Sequence, residues 1–240
     1  MSLVTTALAD GVLTATLRRA DKGNALDAAL VEDLRAAVIL ADSPEVRLLV
    51  LRGDGKALCT GFDVGDIGAQ TDAGLLARFV AIELLLQEVR HAPVPTLALG
   101  HGRMFGAGAD LFAACTWRLA DPAARFAFPG ARFGLVLGTR RLVSVVGEAQ
   151  ALALTVRGQG LDAAAALGCG LATAIVAQDG FDAEVGSIGA EVSRVDRATA
   201  LALARAARPD TRDADLADLV RSAAVPGLAA RIAAYAGLRG

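Results

Sequence analysis

The chain has 240 residues, which suits one sizeable domain, or a domain with a small helical appendage. Its composition, 54% hydrophobic and 21% charged, excludes an intrinsically disordered chain, and its net charge of −2 without a basic run argues against a nucleic-acid partner. The mean hydropathy is +0.48, but the longest uncharged stretch, around 163–178, is rich in Ala and Gly and too short to span a bilayer, so no membrane partner is expected.

The N-terminal part of the chain predicts a β-hairpin followed by a helix. Apolar and small polar residues alternate at 3–8 and 12–17, and the intervening Asp10-Gly11 is a hairpin-turn signal. Asp27 can cap a helix that runs to about Ala41, because leucine and valine residues recur there at helical spacing.

Strand and helix signals then alternate through the middle of the chain. Short apolar runs at 46–51, 95–99 and 117–120 predict buried strands. Helices are predicted between them at 74–89 and 107–114. This β–α–β–α–β order implies right-handed crossovers and a parallel sheet with helices on its faces.

From about residue 139 the strand signals become rare. Helices are predicted at 139–146, 148–155 and 161–167 and again after residue 182, whereas only 172–176 still has the pattern of a strand. We interpret the chain as an α/β core over residues 1–181, followed by a helical C-terminal part over residues 182–240.

Two glycine-containing loops, 58–63 and 100–108, each follow a predicted strand and open a helix. The first N–H groups of a helix lack intrahelical partners and attract negative charge. Two such groups from different loops could converge on one oxygen and form an oxyanion hole, in which each donor contributes roughly 3–4 kcal/mol. Glycine in such turns can also be purely steric. A dinucleotide-dependent oxidoreductase is disfavoured, because Phe105 occupies the third glycine position of G-x-G-x-x-G.

Five segments together carry a more specific pattern. They read R-A-D-K-G-N-A-L-D at 19–27, L-C-T-G-F-D-V at 58–64, G-R-M-F-G-A-G-A-D-L at 102–111, R-F-A-F-P with a later glycine at 125–134, and T-R-R-L with a later V-G at 139–147. In this order and spacing, over nearly the whole chain, they resemble the crotonase (enoyl-CoA hydratase/isomerase) superfamily. The resemblance implies an α/β fold with a crotonase-like repeated β-β-α core, a mostly parallel sheet and a helical C-terminal part.

The resemblance also implies a site for an acyl-CoA thioester. By position in the motifs, the backbone N–H groups of Thr60 and Ala107 would polarise the thioester carbonyl, and Asp110 would be the acid–base group. Coenzyme A would enter as part of the substrate, without a separate cofactor or metal. The residues that match family positions for substrate binding are Lys22, Ala25, Leu26, Gly61, Phe62, Asp63, Val64 and Met104. A solvated Lys22 and a core-packed Met104 are the alternative readings of two of these residues.

The sequence departs from the family at the second catalytic position. A hydratase uses two carboxylates around the thioester, and the second falls at Gly130, after Pro129, with no carboxylate nearby in sequence. The loop after Gly134 is also about three residues shorter than the usual pattern. One acid–base group does not perform both proton roles of hydration unaided. Isomerisation, hydration, decarboxylation, thioester hydrolysis and non-catalytic acyl-CoA binding therefore stay open, and Asp110 could also be an ordinary helix residue.

Assembly and location are inferred from the resemblance and from cysteine usage. The family implies a homotrimer or homohexamer, with the part from about Asp182 at the subunit contacts, and a role in fatty acid metabolism. Cys59, Cys115 and Cys169 are odd in number and far apart, which predicts a reducing cytoplasm rather than disulfides or a metal site. No signal peptide is recognised at the start of the chain.

Overall fold

A computed structural model describes residues 2–237, and the part of the chain that it describes contains nine strands and ten α-helices. The strands are β1 (Val4–Ala9), β2 (Val12–Leu17), β3 (Leu48–Gly53), β4 (Thr96–Gly100), β5 (Arg103–Phe105), β6 (Trp117–Ala120), β7 (Arg125–Ala127), β8 (Leu161–Asp162) and β9 (Ala174–Ile175). The helices are α1 (Ala28–Ile39), α2 (Asp72–Arg90), α3 (Ala107–Ala114), α4 (Thr139–Val146), α5 (Glu148–Thr155), α6 (Ala163–Gly168), α7 (Phe181–Val192), α8 (Arg197–Ala207), α9 (Arg212–Ala223) and α10 (Leu228–Gly237).

The main sheet has six strands in the order β1-β2-β3-β4-β6-β9. Only β1 and β2 pair antiparallel, and every other neighbouring pair is parallel. The hairpin turn is tight because Asp10 and Gly11 both adopt positive φ, +50° and +78°, as a two-residue type I′ turn requires. The predicted hairpin and mostly parallel sheet are therefore confirmed.

Helices cover both faces of this sheet. Successive residues of β3 point to opposite faces, so Leu49 and Leu51 join the large core with α1, α2 and α3, whereas Leu48 and Val50 join a second cluster. Phe181 of α7 closes that second cluster. Both faces are thus apolar, which explains why the strand sequences are nearly continuous hydrophobic runs.

A second, three-stranded sheet of β5, β7 and β8 was not predicted. Its strands have only two or three residues, too few to show a two-residue period in the sequence. The helix predicted over 161–167 is wrong at its start, because Leu161–Asp162 pairs with β7 and the helix begins at Ala163. The strand predicted over 172–176 shortens to Ala174–Ile175.

The C-terminal helices are attached to the core at several points. Asp72 of α2 accepts hydrogen bonds from the Gly227 and Ala229 N–H groups, at 2.6 and 2.8 Å, and so holds the start of α10. The predicted boundary between residues 181 and 182 falls one residue into α7, and the two-part division stays a prediction. The ends of the predicted core and C-terminal part, Met1 and residues 238–240, lie outside the described residues.

Candidate active site

The second glycine-containing loop ends where α3 begins. Gly106 takes φ +51° and ψ −125°, and its N–H donates to Ala127 O of β7 at 2.8 Å. The first helical hydrogen bond runs from Asp110 N–H to Gly106 O. Ala107 N–H, in the first helical position, therefore has no intrahelical acceptor and is available to a ligand.

The first loop supplies a second available amide, but not at the predicted residue. Thr60 N–H already donates to Gly23 O at 3.0 Å, so Thr60 is not a free donor, and this corrects its assignment to the oxyanion hole. The Asp63 N–H donates to Leu26 O at 3.1 Å. Between these two, Phe62 N–H has no acceptor among the backbone hydrogen bonds of residues 2–237.

The two glycine-containing loops contact each other at one glycine from each loop, Gly61 and Gly108. A Cβ atom on Gly61, which has φ +100°, would overlap Phe105 O and approach Ala107 N to 3.6 Å. A Cβ atom on Gly108 would overlap Cys59 O. The absence of side chains at both positions thus lets the loops approach closely enough for the Phe62 and Ala107 amides to share one cavity.

This cavity has a volume of about 510 Å³. Seven predicted site residues line it: Ala25, Thr60, Phe62, Asp63, Val64, Ala107 and Asp110. Four others do not. Lys22 is exposed, and Leu26, Gly61 and Met104 are buried behind the wall. Met104 belongs to the core cluster, which favours the core-packing alternative for that residue.

The far wall of the cavity is apolar and was missed by the sequence analysis. It is formed by side chains of the segment after β7, of α5 with the residue that follows it, and of α10, among them Phe133, Leu135, Leu152, Val156 and Ile232. Leu152 and Val156 are 45% and 71% exposed, and their four-residue spacing on one helix face was the available signal. Such a wall suits a hydrocarbon chain.

Asp110 lies at the cavity with only 6% of its surface exposed. Burial raises the pKa of its carboxyl to about 8, while nearby Arg141 acts to lower it and Glu83 to raise it. The carboxyl is therefore mostly protonated at neutral pH. A carboxyl with a pKa near the working pH can both release and accept a proton, as an acid–base group must.

A buried ion pair stands behind Asp110. Arg141 of α4 donates to both oxygens of Glu83 of α2, at 2.8 and 2.5 Å, and to Asp215 of α9 at 3.2 Å. Sequence reasoning did not identify Glu83 or Asp215, because neither lies in a recognised motif and only the packing of three helices brings them together.

No acidic side chain occupies the position of the family's second catalytic carboxylate, either in the sequence or among the described residues of the fold. Gly130 lines the cavity, and the carboxylates among the lining residues are Asp63 and Asp110. Asp63 is paired with Arg19 at 2.6 Å. Although burial alone would raise it, the pKa of Asp63 is lowered by a hydrogen bond from Gly65 N–H and by Arg19. Asp110 is thus the cavity's one acid with a raised pKa within the described chain.

Two further observations concern metal and membrane. Over residues 2–237, no group of three or more His, Cys, Asp or Glu side chains is arranged to hold a metal ion. No helix in the same range is long and apolar enough to cross a bilayer.

Fold and site together define a class: an α/β protein of repeated β-β-α units with two backbone amides and one buried carboxyl at a cavity. Residues 8–223 match the sequence profile of the family Enoyl-CoA hydratase/isomerase. A Mycobacterium tuberculosis relative named "Probable enoyl-CoA hydratase echA6" is 35% identical over 191 residues, which cover 78% of this chain and 74% of the relative. The chain belongs to the enoyl-CoA hydratase/isomerase family, the crotonase superfamily.

Solved structures agree with this family. A Bordetella parapertussis protein described as an enoyl-CoA hydratase/isomerase superposes with a TM-score of 0.95 at 44% identity, covering 98% of this chain and 99% of the other. An enoyl-CoA hydratase from Bacillus halodurans superposes with a TM-score of 0.86 at 21% identity, over 97% and 100% of the two chains, and that likeness shows the fold alone.

Proposed function

We propose that the protein is an enzyme that binds an acyl-CoA thioester with its carbonyl oxygen between Phe62 N–H and Ala107 N–H. Asp110 is the acid–base group in this proposal. One observation carries it: two amides without backbone acceptors belong to residues that line the same cavity as a buried carboxyl of raised pKa. Such amides stabilise the negative charge that an enolate places on the thioester oxygen.

The proposed chemistry moves one proton with one group. The Asp110 carboxylate takes a proton from the carbon next to the thioester, and the electron pair moves into the carbonyl, whose oxygen the two amides hold. In a 3-enoyl thioester the same carboxyl then returns the proton at the fourth carbon, which shifts the double bond next to the carbonyl. Atoms and charge balance with Asp110 alone, whereas water addition requires a second acid–base role that Gly130 cannot supply.

Several finer features belong to the same proposal. The acyl chain would lie along the apolar wall, coenzyme A would be part of the substrate, and the exposed Lys22 would reach a CoA phosphate. The residues from 182 onward would form contacts in a homotrimer or homohexamer, in a cytoplasmic enzyme of fatty acid metabolism. The family resemblance supports these features except the location, which rests on the three free cysteines.

A second candidate function is acyl-CoA binding without turnover. The observation that favours it is the missing carboxylate at Gly130, because a chain that keeps the amides and loses one acid could retain affinity alone. Binding in this case would persist for substrates that are never converted.

The test is a panel of 3-enoyl-, 2-enoyl-, dienoyl- and malonyl-type CoA thioesters, assayed for turnover with the wild type and Asp110→Asn. We expect double-bond migration, reduced roughly 10²–10⁴-fold in the variant. Calorimetry should show that the variant still binds, and that an ether analogue without a carbonyl binds more weakly. Turnover within a few-fold of the wild type would remove Asp110 from the mechanism, and binding without any turnover would favour the second candidate.

A further inference from the structure

Three arginines gather at the edge of the sheet opposite the active site. Arg90 ends α2, Arg118 lies in β6, and Arg208 follows α8. Arg208 ties the group together, since its Nη1 donates to Arg90 O at 2.7 Å and its Nη2 donates to Thr116 Oγ1 at 2.6 Å. Thr116 precedes the start of β6, whereas the cavity lies beyond the other ends of the parallel strands. The cluster is therefore separate from the acyl-CoA site.

The three guanidinium groups differ in the number of hydrogen bonds that they donate within the protein. Arg118 is buried and donates to four backbone carbonyls, those of Cys115, Thr116, Gly170 and Leu171. Arg90 and Arg208 are half-buried and have fewer partners. The Arg90 side chain donates to Ser144 Oγ at 3.0 Å, and this is its one side-chain hydrogen bond to residues 2–237. Both half-buried groups thus retain N–H groups that can reach a ligand.

No carboxylate neutralises this charge. Among the ion pairs of the described residues, none includes Arg90, Arg118 or Arg208. The nearby acids already have arginine partners: Glu83 and Asp215 with Arg141, and Asp210 with Arg212.

Two titratable side chains beside these arginines, Cys115 and His91, add no positive charge at neutral pH. Burial lowers the pKa of the His91 imidazole from its usual value. Cys115 is fully buried, and burial raises the pKa of its thiol to about 12. Burial, together with the positive charges of Arg208, Arg118 and Arg141, lowers the pKa of Arg90 to about 10. Three like charges held together without a counter-ion repel one another, and an anion between them would relieve that repulsion.

We propose that Arg90 and Arg208, held in place by the hydroxyl oxygens of Ser144 and Thr116, form a site for a small phosphate-class oxyanion. Guanidinium groups match the oxygens of such an anion. The Ser144 hydroxyl donates to Arg141 O at 2.7 Å and accepts from Arg90, so it positions Arg90 rather than donating to the anion. Arg118 contributes its positive charge from below while its own N–H groups remain on backbone carbonyls. This site is independent of the active site, so its test does not depend on the proposed catalytic function.

The experiment measures the midpoint of thermal unfolding against inorganic phosphate in the low millimolar range, with sodium chloride at matched ionic strength as reference. Binding to the folded state alone raises the midpoint, and a saturating rise of about 2–4 °C corresponds to about 1 kcal/mol for a chain of this size. We expect this rise in the wild type and its loss in Arg90→Gln/Arg208→Gln. Arg194→Gln removes one exposed arginine charge that takes part in none of the ion pairs within residues 2–237, and this variant should respond as the wild type does.

A second variant, Thr116→Asp, tests the same site even if the double variant folds poorly. It places a carboxylate where Arg208 already donates, and we expect a higher midpoint without phosphate and no further rise with it. The proposal is overturned if phosphate acts equally on all variants, or rises without saturation, as a general salt effect would. It is also overturned if phosphate has no effect on the wild type. Dissociation of the double variant in light scattering would then indicate that a partner subunit's carboxylate occupies the cluster.

Discussion

The guanidinium of Arg141 donates to both carboxylate oxygens of Glu83, at 2.8 and 2.5 Å, and both side chains are buried. This pair joins α2 to α4 directly behind Asp110. The two residues act on Asp110 in opposite directions, because the positive charge of Arg141 lowers the pKa of its carboxyl and the negative charge of Glu83 raises it. The pair is therefore both a structural link and an influence on the acid–base group.

Glu83→Gln should shift the pH dependence of the enzyme. Removing the negative charge leaves Arg141 less neutralised, so the pKa of Asp110 should fall from about 8. We expect the inflection of the pH–rate profile to move to lower pH, together with a loss of roughly 3–5 kcal/mol in unfolding free energy. Glu88→Gln on the same helix, which breaks the partly exposed pair with Arg35, is the control. An unchanged inflection in a folded Glu83→Gln protein would separate Glu83 from the active site.

Asp110→Asn should stabilise the protein, and the gain should grow with pH. Because the folded-state pKa of Asp110 is raised to about 8, the folded protein keeps a proton that the unfolded chain releases above about pH 4. Stability from this group is therefore lost as pH rises between about 4 and 8, by up to about 1.4 kcal/mol per pH unit. Asn resembles the protonated acid in shape and does not ionise. Urea unfolding at pH 5 and pH 8 measures the difference between the two proteins. A gain equal at both values would contradict the raised pKa.

Ala107→Pro tests the oxyanion donor without deleting a side chain of the core. Proline is well tolerated at the first position of a helix and removes the N–H group. We expect turnover of the best thioester to fall roughly 10²–10³-fold, with little change in thermal stability. Ala107→Gly keeps the N–H group and should stay close to the wild type in turnover. A proline variant as active as the glycine variant would exclude Ala107 N–H as a donor.

The sequence was sufficient for those elements whose formation depends on local signals. The predicted bounds of the helix at 107–114 and of the strand at 117–120 are those of the structure. Gly106 precedes the apolar run of the helix, and Asp121-Pro122 follows the strand. The cap at Asp27 is also confirmed, since its carboxylate accepts from Leu30 N–H at 2.8 Å. The small sheet escaped prediction because its strands are fixed by pairing between distant segments rather than by their own residues.

The candidate site was predicted in its loops and missed in its surroundings. Motif position indicated the loop at 58–64, whose residues line the cavity, but pointed to Thr60 as the donor. Only tertiary hydrogen bonding reveals that Thr60 N–H donates to Gly23 O. Asp110 was identified by position, whereas its raised pKa follows from burial and from Glu83, which is distant in sequence. The apolar wall depends on how α5 and α10 pack, which no local pattern specifies.

Gly130→Glu tests whether the missing carboxylate alone separates this chain from a hydratase. Gly130 lines the cavity, and a Cβ atom there would meet Leu135 O at 3.4 Å, an ordinary contact, so a side chain fits without rearrangement of the backbone. With Asp110 and a new glutamate, one carboxylate could take a proton from the water that attacks the third carbon of the acyl chain. The other carboxyl could deliver a proton to the second carbon, next to the thioester carbonyl. We expect the rate of hydration of a 2-enoyl-CoA to rise roughly 10²-fold or more above that of the wild type. The loss of enoyl-thioester absorbance measures this rate.

Gly130→Gln is the control, because it supplies the same bulk without the acid and should not gain hydratase activity. If both variants bind the thioester and neither hydrates it, the shorter loop after Gly134 has displaced the second position, and a carboxylate at residue 130 is not sufficient.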